Sequence, residues 1–418
     1  MTLLPPILSL FFLSISNGFL MTLLPLRLSM FHYSLATIGY ISAAYYVGLC
    51  LGALFNNTLL NRVGHIRAYA TFVAILSASA IAQAIWVNPY YWFLLRVVCG
   101  WGIAGAFLVV ESWLLASSHA VNRGRILAIY MIACFASMAF GQLFIGVLDT
   151  SPSGPTQSLP YVMASLVTSL CVIPVTLIPR QGPKFDGAKA MPPWTMFRLS
   201  PTGTVGSLAT GILMGAVFTL FPVYLGSIHG EHASSLIGRL MFTSIIGGMV
   251  LQYPVGYWSD KSDRQWVMLI ISAILCCLSL IVPTIYRNTW IIALILFLLG
   301  GGIFSLYPIM ISHAADRVSS EHLVGMNQGL ILTNALGSAI ASPLLTPVMR
   351  TAGPNGLFVG ICILLGLMFV FFVWRRSCRP APRPETAFTA FPINSAAGGQ
   401  YVQEAHELYE KPESDISS

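Results

Sequence analysis

Residues 18–28 read GFLMTLLPLRL, and residues 215–225 read GAVFTLFPVYL. Five positions keep the same residue type in both stretches, at one constant spacing along the chain. They are Gly18, Thr22, Leu23, Pro25 and Leu28 in the first copy, and Gly215, Thr219, Leu220, Pro222 and Leu225 in the second. Agreement of glycine, threonine and proline in so apolar a context indicates an internal repeat.

The repeat lies in a chain that is too apolar for a water-soluble core. Hydrophobic residues make up 56% of the 418 positions and charged residues 8%, against about 25% charged residues in a typical soluble domain. A helix that crosses a bilayer needs about 20 apolar residues, and twelve stretches reach that length. They lie near residues 5–26, 37–60, 67–87, 90–116, 125–148, 159–179, 203–226, 235–258, 266–286, 289–313, 323–347 and 355–374. The sequence therefore predicts an all-α integral membrane protein with twelve transmembrane helices, because helices satisfy their own backbone groups in lipid.

The second six spans echo the first six, which predicts two pseudo-symmetric six-helix bundles. We assign residues 1–179 to the N-terminal bundle and residues 203–376 to the C-terminal bundle. The polar segment 180–202, rich in proline and basic residues, is expected to form a cytoplasmic linker. Residues 377–418 are rich in polar and small residues and poor in aliphatic ones, which predicts a disordered cytoplasmic tail.

The positions of lysine and arginine predict the orientation of the spans. If the N-terminus is cytoplasmic, most of the 21 basic residues fall in cytoplasmic loops, as the positive-inside rule requires. Both termini are therefore expected in the cytoplasm. The formal net charge of +7 is then a signal of topology, and it gives no indication of nucleic-acid binding.

Three short motifs point to a known family. Residues 57–67 read NTLLNRVGHIR, residues 256–264 read GYWSDKSDR, and residues 96–106 read RVVCGWGIAGA. The first two resemble the loop pattern G-x-x-x-D-R-x-G-R-[KR] of the major facilitator superfamily, and the third resembles its fourth-helix pattern. In the N-terminal copy Asn61 replaces the acidic residue, and in the C-terminal copy Asp263 replaces the second glycine.

Further short stretches are similar to one bacterial branch of this superfamily, the poorly characterised YcaD-like transporters. They are Val109-Val110-Glu111-Ser112, Asn122-Arg123-Gly124-Arg125, Gly141-Gln142, Leu306-Tyr307-Pro308 and Met326-Asn327-Gln328. The resemblance to the superfamily covers residues 5–376. It implies that the two loops latch the bundles together at the cytoplasmic face, through Asn61, Arg62, Gly64 and Arg67 in one loop and Gly256, Asp260, Lys261 and Arg264 in the other.

Gly100, Gly102 and Gly105 in the fourth span superficially match a dinucleotide-binding loop. No strand precedes them, and they lie inside an apolar span, so we reject that interpretation. Small residues three and four positions apart let helix backbones approach closely in lipid. We therefore expect these glycines to form a helix-packing surface.

The sequence carries no catalytic motif. It has no His-Glu-x-x-His motif, no phosphate-binding Gly-Lys-Ser/Thr loop and no Ser/His/Asp cluster. We expect no enzymatic activity, no cofactor and no metal site. The missing ATP-binding loop argues against a primary pump.

Arg96 and Glu111 are ionisable residues inside the fourth span, where a charge costs about 2.5 kcal/mol or more. At 100° and 1.5 Å per residue they differ by about 60° around the helix and by about 22 Å along it, so both can face one cavity without pairing. We expect Arg96 to anchor an anionic substrate group or to act in gating, with bonds to neighbouring carbonyls as the alternative. For Glu111 the alternatives are proton binding and a structural pair with Arg62 or Arg67.

Four uncharged residues complete the candidates for a substrate cavity: Asn17, Tyr307, Asn327 and Asn334. Asn17 lies in the middle of the first span, where an asparagine more often bonds a neighbouring helix than a substrate. Asn327 and Asn334 are seven residues apart on one helical face, a spacing that suits a cavity and an interhelical seam equally. Tyr307 lies deep in the tenth span and precedes a proline.

Together these features lead us to expect a secondary active transporter of the bacterial inner (plasma) membrane that works by alternating access. The resemblance implies that spans 1, 4, 7 and 10 line the cavity and that a monomer suffices. The expected partners are the lipid bilayer, protons and a small organic solute, anion-tolerant or amphiphilic, held by Arg96. Two alternatives remain open: a facilitator without proton coupling, and a non-transporting membrane sensor or scaffold that signals through the C-terminal tail.

Overall fold

The structure, a computed structural model, describes residues 4–116, 123–148, 156–177, 191–230, 233–285, 288–317 and 323–378. Within these ranges the regular secondary structure consists of α-helices. The helices of the N-terminal half are α1 (Leu4–Met30), α2 (Leu35–Val63), α3 (His65–Ile85), α4 (Pro89–Ala116), α5 (Arg123–Val147), α6 (Leu159–Leu170) and α7 (Val172–Thr176). Those that follow are α8 (Pro193–Leu199), α9 (Pro201–His229), α10 (Ser234–Lys261), α11 (Arg264–Ile285), α12 (Thr289–Ala315), α13 (Leu323–Ala352) and α14 (Gly356–Cys378).

The predicted number of membrane spans is confirmed. Twelve helical segments in the described ranges are long and apolar enough to cross a bilayer. The sixth span is divided at Cys171 into α6 and α7, a break that hydropathy does not reveal. The short helix α8 lies in the segment predicted as linker, and α9 begins at Pro201, before the predicted bundle boundary.

Several helices extend beyond the predicted spans, because helical geometry continues where the apolar composition ends. The helix α2 is longer than the predicted 37–60 at both ends, and α13 continues past residue 347 to Ala352. Its last turns contain Pro347 and Arg350, which a hydropathy window discounts. The tail predicted for residues 377–418 lies outside the described residues, except for the last two residues of α14.

Local sequence explains where several helices begin and end. Ser34 caps α2 by accepting a hydrogen bond from the backbone N–H of Thr37 at 3.2 Å, and Asn288 caps α12 in the same manner. At the other end of α2, Gly64 has a positive φ of 81° and its N–H donates to the carbonyl of Leu60. Glycine reaches this backbone conformation without a steric penalty. We call the two ends of the helix bundle the Ser34 end and the Gly64 end.

The internal repeat appears in space as matched contacts between helices. Gly18 of α1 lies so close to α5 that an added Cβ would stand 2.6 Å from the carbonyl oxygen of Met138. Its counterpart, Gly215 of α9, lies against α13 with the carbonyl oxygen of Ser338 at the same 2.6 Å. Both halves are therefore built by the same close approach of backbones, which small residues permit.

A second matched contact joins α2 to α4 and α10 to α12. A Cβ on Gly100 would collide with the carbonyl oxygen of Tyr45, and one on Gly300 would collide with the carbonyl oxygen of Ser244. Gly102 and Gly105 face α3 instead, where an added Cβ would meet the side chains of Leu76 and Phe72. The glycines of α4 thus lie against two neighbouring helices.

The two bundles meet through α5 with α10, α2 with α13, and α1 with α9. Glycines make close contacts across this interface toward the Ser34 end. There an added Cβ on Gly39 would stand 2.6 Å from the Cβ of Ser342, and one on Gly146 would stand 2.6 Å from the Cα of Ser235. This end of the interface between the bundles is closed.

Replacing Gly100 by alanine should destabilise the protein, because the new methyl group must displace the backbone of α2. Overpacking of this kind costs about 1–3 kcal/mol. The matched control is Gly366→Ala in α14, where an added Cβ meets no atom within 4 Å. Thermal unfolding in detergent should give a lower melting temperature for the first variant only. Equal melting temperatures would show that the contact between α2 and α4 can relax freely.

Candidate functional site

A cavity lies between the two bundles near the middle of the helices. Its walls come from α1, α2, α4 and α5 of the N-terminal bundle and from α9 of the C-terminal bundle, and they consist of Ser14, Asn17, Met21, Tyr45, Tyr46, Phe107, Cys134, Phe135, Met138 and Phe218. The cavity encloses about 20 Å³, which is room for roughly one water molecule. A metabolite therefore fits only after the walls have moved apart.

Asn17 is the one uncharged candidate from the sequence that lines this cavity. The hydroxyl of Tyr45 donates a hydrogen bond to its Oδ1 atom at 3.0 Å. The asparagine thus bonds a neighbouring helix and faces the cavity at once. The sequence analysis treated a bond to a neighbouring helix and a place in the substrate cavity as alternatives for Asn17, and its position combines the two.

Arg96 lies behind the cavity wall. Its side chain is 3% exposed, its guanidinium lies over the ring of Tyr45 at 4.4 Å from the centroid, and Nη2 is 3.2 Å from the sulfur of Met21. Tyr45 and Met21 both line the cavity, so they separate the cation from the open space. No carboxylate among the described side chains lies within ion-pair distance of Arg96.

Glu111 is fully buried one helical turn beyond Phe107 of the cavity wall. The hydroxyl of Tyr130 donates a hydrogen bond to Oε1 of this carboxylate at 2.5 Å. Tyr130 in turn precedes the cavity residue Cys134 by one turn of α5. The pair of Glu111 and Tyr130 therefore lies next to the cavity on its Gly64 side, and the sequence analysis missed the tyrosine.

The three candidates in the C-terminal bundle lie outside the walls of this cavity, although the sequence predicted them to line it. Asn334 turns toward α9, where its Nδ2 donates to the carbonyl of Ser207 at 3.1 Å, so it occupies an interhelical seam. Tyr307 and Asn327 are buried, and the Tyr307 hydroxyl and both amide atoms of Asn327 have no hydrogen-bond partner in the described structure. Of the α12 face that carries Tyr307, Phe304 reaches the cavity wall, where its ring packs against those of Phe135 and Phe218.

Two adjacent tyrosines are a further part of the site that sequence reasoning overlooked. Tyr45 and Tyr46 lie in the middle of α2, with their rings in an edge-to-face arrangement 5.4 Å apart. The Tyr46 hydroxyl has no hydrogen-bond partner among the described residues. Two phenols in the centre of an apolar span were the available signal, because a hydroxyl in hydrocarbon needs a partner.

The two loops that resemble the family's latch differ in burial. In the N-terminal loop Asn61, Arg62 and Arg67 are exposed, together with the helix-ending Gly64. In the C-terminal loop Arg264 is buried, and its Nε lies 3.0 Å from a carboxylate oxygen of Asp316.

Further ionic contacts extend around the C-terminal loop. Arg264 also lies 3.4 Å from Asp260, and Asp263 pairs with Arg376 of α14. The other two residues of the loop pattern are Lys261, whose ammonium group contacts the hydroxyl of Tyr257, and Gly256, which is buried. These ion pairs join segments of the C-terminal bundle to one another, whereas the family resemblance implied a latch between bundles. Asp263, where the family pattern has glycine, fastens the end of α14 to this loop.

Comparison with known proteins agrees with the fold. The family model of the Major Facilitator Superfamily matches residues 7–342 and, in a second match, residues 232–400. The uncharacterized MFS-type transporter YcaD of Escherichia fergusonii is 30% identical over 351 residues, which cover 84% of this chain and 89% of that protein.

Solved structures of two transporters share the fold. A mutant form of the nucleoside transporter NupG superposes with a TM-score of 0.75 at 13% identity, over 90% of this chain and 99% of that one. A D-xylose-proton symporter superposes with a TM-score of 0.68 at 12% identity, over 94% and 98% of the two chains. The all-α fold with twelve spans is thereby confirmed, and the chain belongs to the Major Facilitator Superfamily of membrane transporters.

Proposed function

We propose that the protein is a secondary transporter that moves a small organic solute across the bacterial inner membrane by alternating access, with Glu111 as the proton carrier. The observation that carries this proposal is the cavity between two repeat-related bundles, closed toward the Ser34 end. A cavity at the interface of two similar bundles opens to one side or the other when the bundles rock. The proposal needs a single chain, since both bundles belong to it.

The distribution of basic residues supports the direction of opening. Most lysine and arginine residues lie in segments at the Gly64 end, and the positive-inside rule places such an end in the cytoplasm. The closed Ser34 end then faces outward, and both chain termini are cytoplasmic. From this conformation the next step is separation of the bundles at the Gly64 end, which widens the cavity toward the cytoplasm.

The position of Glu111 supports proton coupling. An ionised carboxylate in the membrane interior is costly, whereas its protonated form is not. Glu111 therefore binds a proton when the cavity is closed and dry and releases it when water enters from one side. The D-xylose-proton symporter has the same fold, so this architecture is compatible with proton coupling.

Replacing Glu111 by glutamine should abolish accumulation against a gradient and preserve exchange. Glutamine retains the size and the hydrogen-bond acceptor for Tyr130, but it does not titrate. In proteoliposomes with an imposed pH gradient and a panel of radiolabelled solutes, we expect accumulation to fall at least about tenfold, because glutamine carries no proton and cannot couple solute movement to the gradient. Counterflow exchange of the same solute should continue.

Ser112→Ala is the matched control for this experiment. Ser112 follows Glu111 in the chain, and its hydroxyl donates to the carbonyl of Val109 in its own helix at 2.9 Å. The Ser112→Ala variant should accumulate solute like the wild type. If Glu111→Gln also accumulates solute normally, Glu111 is a structural partner of Tyr130. If the wild-type protein equilibrates solute and never accumulates it, the uncoupled facilitator is correct.

Deleting residues 380–418 should leave transport intact, because α14 ends at Cys378 and the cavity lies within the helices that precede it. The measurement is solute uptake by the truncated protein in proteoliposomes, compared with the full chain. A sensor or scaffold that signals through the tail would lose its function with this deletion. Loss of uptake by a correctly folded truncated protein would therefore count against a simple carrier.

A further inference from the structure

We propose that the cavity binds a small organic anion, a carboxylate attached to an aromatic or branched apolar body, and that Tyr45 covers Arg96 until that carboxylate replaces it. This inference rests on the proposed transport function, since it names the substrate class of the same cavity. In this proposal Arg96 binds the carboxylate of the ligand, and Tyr45 controls access to Arg96.

The first argument is the state of the Arg96 charge. A guanidinium buried among transmembrane helices is normally paired with an acid or with backbone carbonyls. Here the described contacts of the guanidinium are the face of the Tyr45 ring and the sulfur of Met21, and a thioether is a weak acceptor. Neither contact neutralises the charge. A carboxylate would do so, because arginine binds it through two parallel hydrogen bonds.

The second argument is the position of Tyr45. Its ring lies over the guanidinium, its hydroxyl is bonded to Asn17, and the side chain forms part of the cavity wall. A ligand in the cavity meets this ring before it meets the cation. Rotation of Tyr45 breaks the bond to Asn17 and opens the path to Arg96, so the hydrogen bond holds the cover in place.

The remaining walls specify the body of the ligand. Phe107, Phe135 and Phe218 supply aromatic surface, and Met21 and Met138 supply flexible apolar side chains that adapt to different shapes. None of the residues in this wall is acidic, and the carboxylate of Glu111 lies a helical turn beyond the wall, where it is bonded to Tyr130. The unpartnered hydroxyl of Tyr46 provides a further donor for a carboxylate.

The internal repeat shows that this chemistry belongs to one bundle. In the register set by the matched glycines, Leu296 takes the place of Arg96 and Ser244 takes the place of Tyr45. The C-terminal bundle contributes the apolar Phe218 to the cavity. A ligand with an anionic head and an apolar body therefore touches both bundles, with its charge held on one side.

The test uses three probes with one skeleton and different charge: phenylacetate, phenylacetamide and phenethylamine. Binding to the full-length protein in detergent is measured by ligand-induced thermal stabilisation and by titration calorimetry. Phenylacetate should bind to the wild type, and the neutral amide and the cationic amine should not. Arg96→Met should weaken phenylacetate binding at least about tenfold, since it removes the charge-assisted pair.

Tyr45→Phe provides a variant with the opposite expected effect. It keeps the aromatic cover over Arg96 but removes the bond to Asn17, so the ring moves aside more easily. Phenylacetate should then bind about two- to tenfold more tightly, the range that one net hydrogen bond represents. The control is Arg239→Gln, an exposed arginine whose Nε bonds a carbonyl of its own helix, and it should bind phenylacetate like the wild type.

Several results would overturn the inference. They are equal binding of the amide or the amine, no binding of phenylacetate to the wild type, undiminished binding to folded Arg96→Met, and weaker binding to Tyr45→Phe. A parallel counterflow assay with neutral, cationic and anionic solutes separates this inference from the proposed function. Transport of neutral or cationic solutes alone would reject the anion site and leave the transporter, whereas transport of no solute would reject the proposed function itself.

Discussion

Hydrocarbon offers no hydrogen-bond partner to a peptide group, and this constraint determines the architecture of the protein. The described backbone meets it by forming helices, in which each peptide group bonds within its own segment. The helices then need another source of adhesion, because lipid is as apolar as their side chains. Close backbone contacts at Gly18, Gly100, Gly215 and Gly300 provide it, at matched positions in the two halves.

The packing contacts between helices therefore occur in both bundles, whereas the polar groups near the cavity occur in only one. The N-terminal bundle carries Arg96, Glu111 and the two tyrosines of α2, which surround or adjoin the cavity. At the equivalent positions of Arg96 and Glu111 the C-terminal bundle has Leu296 and Ile311. Packing contacts must persist in both copies for the bundles to form, whereas one set of polar groups is enough to recognise a solute.

The protein is contracted around an almost filled cavity. The bundles touch near Gly39 and Gly146 at the Ser34 end, and the central space admits roughly one water molecule. Its walls contain methionines and tyrosines, whose side chains can rotate without unfolding a helix. At the opposite end, ionic contacts of Arg264 and Asp263 join segments of the C-terminal bundle to one another.

The sequence by itself determined the number of spans, the repeat and the two ionisable residues of the fourth span, because these depend on properties that are local along the chain. Apolar length, recurring glycines and charge in a hydrocarbon segment can each be recognised without knowing what lies beside them. Tertiary structure decided which polar groups meet. A helix that is apolar on most of its faces gives little sign of the direction in which each face points. Only the packing of distant helices therefore brought Tyr45 onto Arg96 and Tyr130 onto Glu111, and turned Asn334 away into the seam with α9.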